Sequence, residues 1–203
     1  MLKKATEFIN GKIPSNEITE CFLGWNEYAR QANAYKLRKH ILAEINKTKY
    51  KMPSKLNSEL KSKANPEKAK ILQRFFKTGK GEYGEGDVFL GITVPQSREI
   101  AKKYISISLD EINSLLKSEI HEERLIALLI LVEKFNKTNN KKEIFYFYLN
   151  NTKYINNWDL VDLSADKIIG SYLINSDKSV LYNLAKSNNL WERRIAIIST
   201  FNF

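Results

Sequence analysis

Cysteine and histidine are almost missing from this chain: its 203 residues include one cysteine, Cys21, and two histidines, His40 and His121. A lone cysteine forms no internal disulfide, and one cysteine with two histidines cannot supply the four ligands of a zinc site of the usual Cys/His kind. Ser-His and Cys-His catalysis is equally short of parts. No spaced Asp/Glu loop points to magnesium or calcium, so no cofactor is implied. Long apolar runs are lacking too. Nothing approaches the roughly 18–20 residues that span a bilayer, and the N-terminus MLKKATEFING has no secretory apolar stretch. The expectation is a soluble, cytoplasmic or nucleoid-associated bacterial protein without a membrane partner.

Proline and glycine are sparse, at four and eight residues. They punctuate the chain at Gly11–Pro14, Pro53, Pro66 and the stretch from Gly79 to Pro95, which holds five of the glycines. Elsewhere apolar residues recur at intervals of three and four, and no run alternates as a strand does. Asn65-Pro66-Glu67 reads as a helix start, with Asn as cap and Pro in the first turn, where its missing N–H costs nothing. The fold class expected is all-α with one glycine-rich connection near 79–91.

What the chain has in excess is positive charge, a net +10 with a pI near 9.5. Residues 1–80 carry 18 Lys and Arg against seven Asp and Glu, a net +11, and the rest carries 15 against 16. A basic region of this size suits a polyanion such as nucleic acid, although lysine-rich solvated helix faces have the same composition.

Internal similarity adds an architecture. SEIHEERLIALLI (118–130) superimposes on SNNLWERRIAIIS (187–199) at a shift of 69, matching Ser118 to Ser187, Glu123 to Glu192, Arg124 to Arg193 and Ala127 to Ala196. Between them, NNWDLVDLSADKIIG (156–170) puts Trp158-Asp159 where the later copy has Trp191-Glu192. A period of about 33–36 residues reads as helix pairs that stack into a curved α-solenoid, whose concave face suits a long ligand. In the first turns, Trp158 and Asp162 are i and i+4, and Trp191 and Arg194 are i and i+3, so each pair shares a helix face. Asn156 or Asn157, and Ser187 or Asn188, are the candidate caps, leaving helix N-termini able to meet phosphate. Asp159 and Glu192 read as structural partners of the helix dipole.

Five motifs in order now identify a resemblance: NPEKAKILQRFFK (65–77), GEGDVFLGITVPQSREIAKKY (84–104), HEERLIALLILVEKF (121–135), NNWDLVDLSADKIIG (156–170) and LWERRIAIIS (190–199). From about Leu56 to Phe203 the chain resembles the AlkD-like DNA alkylation-repair glycosylases, built from HEAT-like repeats. The resemblance implies a monofunctional DNA glycosylase that hydrolyses the N-glycosidic bond of N3- or N7-alkylated purines in duplex DNA and works as a monomer. It assigns Asp162, Trp158 and Arg194 to the catalytic cleft, with Trp191, Arg193, Phe75 and Lys68 as DNA contacts. The helix after NPEK presents Phe75 and Phe76, and active members of the family can carry a tyrosine in this region. The family also continues beyond Phe203 with further repeats and another cleft aromatic, so an exposed apolar end is expected. A noncatalytic DNA-binding protein of the same fold is the alternative reading, and a protein-interaction solenoid a third.

Residues 1–52 are expected to form a basic helical extension or fused fragment preceding a repeat domain at 53–203. Within them FINGKIPSNEITECFLGWNEYARQANAYKLRKHIL (8–42) resembles the C-terminal tail of retroelement reverse transcriptases, without polymerase aspartates. As a simple basic extension it would add salt-dependent DNA affinity through Lys36, Arg38, Lys39 and Lys47.

Overall fold

Helix α1 (Ser54–Lys63) opens the described part of the chain by burying Leu56 and Leu60, one turn apart on one face. The structure is a computed structural model and describes residues 54–203; the reverse-transcriptase resemblance and the basic extension lie outside these residues. Helix α2 (Pro66–Phe75) begins as the sequence predicts: the Asn65 side chain accepts the Lys68 N–H at 3.0 Å, and Pro66 occupies the first turn. The chain then runs through the glycine-rich connection into α3 (Val94–Lys103), α4 (Leu109–Leu116) and α5 (His121–Lys137). Ser108 and Glu111 form a reciprocal capping box at the start of α4.

The core is organised around α5. Of its 17 residues, 13 are buried, because α3, α4, α6 (Lys141–Asn150) and α7 (Trp158–Asp162) all pack on it. A helix enclosed on all sides must be apolar all round, which is why LIALLILV stands unbroken at 125–132. After α7 a π-helical turn, Asp166–Gly170, leads into the short α8 (Ser171–Leu173). Helices α9 (Ser179–Ala185) and α10 (Leu190–Ser199) then pack on each other, and α10 also packs on α7.

Among the described residues the backbone is helix, turn and one isolated bridge, Val88 to Ile120. In it the Val88 N–H reaches the Glu119 carbonyl at 3.0 Å, and the His121 N–H the Val88 carbonyl at 2.8 Å. That bridge ties the glycine-rich connection to the start of α5. No described helix is long and apolar enough to cross a membrane. Tyr182, Ile197 and Phe201 are exposed on the last helices, and Phe203 is exposed after them.

The shift of 69 recurs as hydrogen bonds. Arg124 Nη1 donates to the Ser118 carbonyl at 2.7 Å, and Arg193 Nη1 donates to the Ser187 carbonyl at 2.8 Å. The Ser118 hydroxyl accepts the Ile120 N–H, as Ser187 accepts that of Asn189, both at 3.0 Å. The cap of α10 is therefore Asn189, whose side chain takes the Trp191 N–H at 2.9 Å. This corrects the expectation of Ser187 or Asn188, because the Ser187 hydroxyl is committed to the turn before the helix. At α7 the cap is Asn157, one of the two residues expected.

Candidate functional site

Two short helix starts, α7 and α10, bring the sequence candidates together. Asp162 at the end of α7 and Arg194 in the first turns of α10 form a two-pronged pair: Nε donates to Oδ1 at 2.8 Å and Nη2 to Oδ2 at 2.6 Å. Both side chains are partly exposed, and the hydrogen bond to Asp162 raises the Arg194 pKa. The fork geometry fixes the carboxylate plane. It leaves further lone pairs on Asp162 and unused N–H groups on Arg194.

Trp158 lies at the other end of α7. Its indole stacks on Phe76 with centroids 5.3 Å apart and planes 12° apart, and Phe75 meets it edge-on at 6.1 Å. Phe75 is 62% exposed, so it flanks Trp158 as an open aromatic surface. Trp191 meets the ring of Tyr83, from the glycine-rich connection, at 5.9 Å and 70°. A cleft of about 610 Å³ is lined by Tyr83, Trp158, Trp191, Arg193, Arg194 and Ile197. Lys68 is not among these residues: it lines a separate cavity of about 340 Å³ with Phe76, His121 and Asp159.

Behind the cleft is a buried polar network that sequence reading missed. His121 Nδ1 faces Asp87 Oδ2 at 3.0 Å, and Nε2 faces Asp159 Oδ2 at 2.8 Å. A neutral imidazole has one N–H, so two carboxylate partners call for the doubly protonated ring. Burial lowers the His121 pKa, but the hydrogen bonds to Asp159 and Asp87 outweigh it and the net shift is upward. Burial likewise pushes Asp87 up, and the His121 hydrogen bond and Arg124 charge overcome it, so its carboxyl ends below the ordinary value. Arg124 Nη2 stands 2.6 Å from Asp87 Oδ1, and Asn157 Nδ2 also approaches Asp87, at 3.4 Å. Asp159 is thus structural, as expected, through an ion pair in addition to its place in the first turn. Glu192 is also structural, accepting from Thr152 and Ser187.

The FLGI segment owes its residues to the same place. Phe89 stacks on His121 at 4.5 Å and on Phe76 at 4.9 Å, so the rings run from His121 out to Trp158. The Glu122 carboxylate accepts the N–H groups of Leu90, Gly91 and Ile92 at 2.8–3.2 Å. Gly91 sits at φ +83°, and a Cβ there would run into the Asn65 backbone at the start of α2. Gly91→Ala is expected to destabilise the chain by about 3 kcal/mol, measured as a fall in the urea unfolding midpoint, since strain and overlap act together.

A family model described as DNA alkylation repair enzyme matches residues 56–203. The chain belongs to the DNA alkylation repair enzyme family. No curated protein and no solved structure gives a match. A member of a DNA alkylation repair family has DNA as its partner, and every residue of the cleft lies inside the matched segment. Of the sequence candidates in this family member, Trp158, Trp191, Arg193 and Arg194 share the cleft. Asp162 joins them through Arg194 and Phe75 through Trp158, while Lys68 stands apart. The residues missed were Tyr83, Asp87 and His121, which are separated from their partners by loop and helix lengths that no local pattern encodes.

His121 gives the stability of the family fold a definite pH dependence. Its folded pKa is above the ordinary 6.5, so its contribution is complete below about pH 6.5 and disappears as pH rises through the raised value. Asp87, lowered from 3.8, contributes above about pH 3.8 and loses that contribution as pH falls through its depressed value. Urea unfolding of the chain beside His121→Gln checks this. The parent should lose stability from pH 6.5 upward at a slope of up to about 1.4 kcal/mol per pH unit, and the variant should lack that segment of the curve.

Proposed function

We propose that the chain is a monofunctional DNA glycosylase that hydrolyses the N-glycosidic bond of N3- or N7-alkylated purines in duplex DNA. The observation that carries this reading is the cleft lined by Trp158, Trp191 and Arg194, whose guanidinium holds the Asp162 carboxylate. Alkylation at N3 or N7 makes the purine cationic and already a good leaving group, so no general acid is needed. Water adds at the anomeric carbon, the bond to the base nitrogen breaks with its electrons going to the base, and the water gives up a proton. The charge that develops on the sugar is positive. The Asp162 carboxylate stabilises it and orients the water. Trp158 offers an electron-rich face to the same cation, a contact worth roughly 0.5–2 kcal/mol.

Arg194 spends Nε and Nη2 on Asp162 and keeps other N–H groups for a backbone phosphate. Arg193, at the cleft wall, and the Lys-rich first 80 residues supply further phosphate contacts whose strength falls with salt. The repeated Arg–Ser junctions at 118–124 and 187–193 support a HEAT-like solenoid, with a shallow concave surface that spares the base a tight extrahelical pocket. One observation favours a noncatalytic DNA-binding relative: both oxygens of Asp162 are engaged by Arg194. Release of free methylated purine from alkylated duplex DNA decides between the two. Release by the purified chain supports the glycosylase, and binding without release supports the noncatalytic reading.

A further inference from the structure

The glycine-rich connection lines the cleft through Tyr83, and the catalytic reading leaves it without a task. It is a built loop. Lys77, Gly81 and Gly86 take left-handed φ angles of 50°, 81° and 86°. The Gly84 N–H returns to the Lys77 carbonyl at 3.1 Å, the Gly79 N–H is held by Glu82 at 2.8 Å and the Gly81 N–H by Glu85 at 2.8 Å. Gln73 donates to the Asp87 carbonyl at 2.8 Å, anchoring the far end on α2. Gly84 lies so close over the end of α2 that a Cβ there would overlap the Phe76 carbonyl oxygen. Phe76 is also the residue on which Trp158 stacks. The loop tip is therefore fixed against the same support as the cleft tryptophan.

That tip is Tyr83. It is 37% exposed, its ring stands edge-to-face with Trp191, and its hydroxyl has no hydrogen-bond partner among the described residues. An aromatic ring held at a preset distance from an indole, with a neutral donor free at its end, matches what single strands use: ring faces for bases and sugars, and hydroxyls for phosphates. The charged groups of the cleft wall are the guanidinium groups of Arg193 and Arg194, which already donate to the Ser187 carbonyl and to the Asp162 carboxylate. A neutral donor on a stiff loop adds a contact whose direction is set in advance.

We propose that Tyr83 is a positioning residue of this cleft, forming with Trp191 an aromatic clasp that holds the DNA strand by ring contact and by a hydrogen bond from the Tyr83 hydroxyl to a backbone phosphate. The proposal rests on the reading of the cleft as a DNA site and does not require that the chain excise a base.

The test is fluorescence anisotropy of a labelled duplex containing a tetrahydrofuran abasic analogue, which offers no base to excise, with the full chain and its Tyr83→Ala, Tyr83→Leu, Tyr83→Phe and Trp191→Ala variants. Tyr83→Ala should weaken binding by roughly tenfold, within the range of aromatic stacking, with an unchanged thermal midpoint. Tyr83→Leu should resemble Tyr83→Ala, and Tyr83→Phe should recover most but not all of the affinity, the remainder being the hydroxyl. Tyr83→Ala combined with Trp191→Ala should be weaker than the parent by less than the product of the single effects, as expected of residues acting together. The salt dependence should keep its slope, since no charge is removed. Full affinity in Tyr83→Leu, or in Tyr83→Ala, overturns the proposal. Methylated-purine release separates the two readings: release with unaltered binding by Tyr83→Ala defeats the clasp alone, and a Tyr83 effect without any release by the parent defeats the glycosylase alone.

Discussion

Asp162→Asn is expected to reduce release of methylated purine by at least about a hundredfold while leaving DNA binding within a few-fold of the parent. The size follows from removing a fixed charge aimed at a developing one, which costs on the order of 10²–10³ in rate. Asparagine keeps the shape of the side chain. Its amide can still accept one bond from Arg194, but its NH2 then faces the second guanidinium N–H, donor against donor. The loosened Arg194 remains cationic, so phosphate attraction survives. Folding survives too, because the pair is partly exposed and pairs of that kind contribute about 0.2–1 kcal/mol. The measurement is single-turnover release from alkylated duplex, beside anisotropy on the same duplex. Undiminished release in the variant would sink the role assigned to Asp162, whatever became of binding.

The largest stability effect belongs to a residue outside the cleft. His121→Leu should lower the unfolding free energy by about 3–5 kcal/mol, the usual cost of removing one partner from a buried ion pair and leaving the other charge behind. Two carboxylates, Asp87 and Asp159, are left: His121 is 1% exposed and the aspartates 4% and 6%. Arg124 continues to face Asp87. Asp159 keeps the N–H of its neighbour Leu160 on Oδ1, but its other oxygen loses its partner. The deficit is therefore concentrated on Asp159, and Asp159→Asn in the His121→Leu background should recover a measurable part of the loss. Urea unfolding of the parent, the single variant and the double variant checks this. A double variant no more stable than the single one would show that the stranded Asp159 carboxylate is not the source of the loss.

These effects separate what local pattern encodes from what it does not. The helix starts at Asn65-Pro66 and at Trp158 were legible because a cap and the residues that follow it lie within one turn, where backbone hydrogen bonding dictates side-chain choice. The start of α10 was misplaced for an equally local reason. Three polar residues in a row, Ser187, Asn188 and Asn189, can each cap, and the choice fell to Asn189 because Ser187 serves the preceding turn. Trp158 and Asp162 were placed on one face by the helical period alone. FLGI was visible only as a motif. Its physical reason, three N–H groups converging on Glu122 about 30 residues away, has no periodic trace.

By itself, the sequence determined an all-helical unit over the described residues, the repeat at a shift of 69, the membership of a DNA alkylation repair family and the helix faces that Trp158 shares with Asp162 and Trp191 with Arg194. All of these are short-range facts, set by spacing within a turn or by likeness between segments. Only the tertiary structure decided that Asp162 is bound by Arg194, 32 residues away, that His121 joins Asp87 and Asp159 across 34 and 38 residues, and that Tyr83 closes on Trp191. Those pairings depend on how α5, α7 and α10 stack and on where a glycine-rich loop turns. Stacking is the summed outcome of many weak apolar contacts, and no single residue spacing along the chain records it.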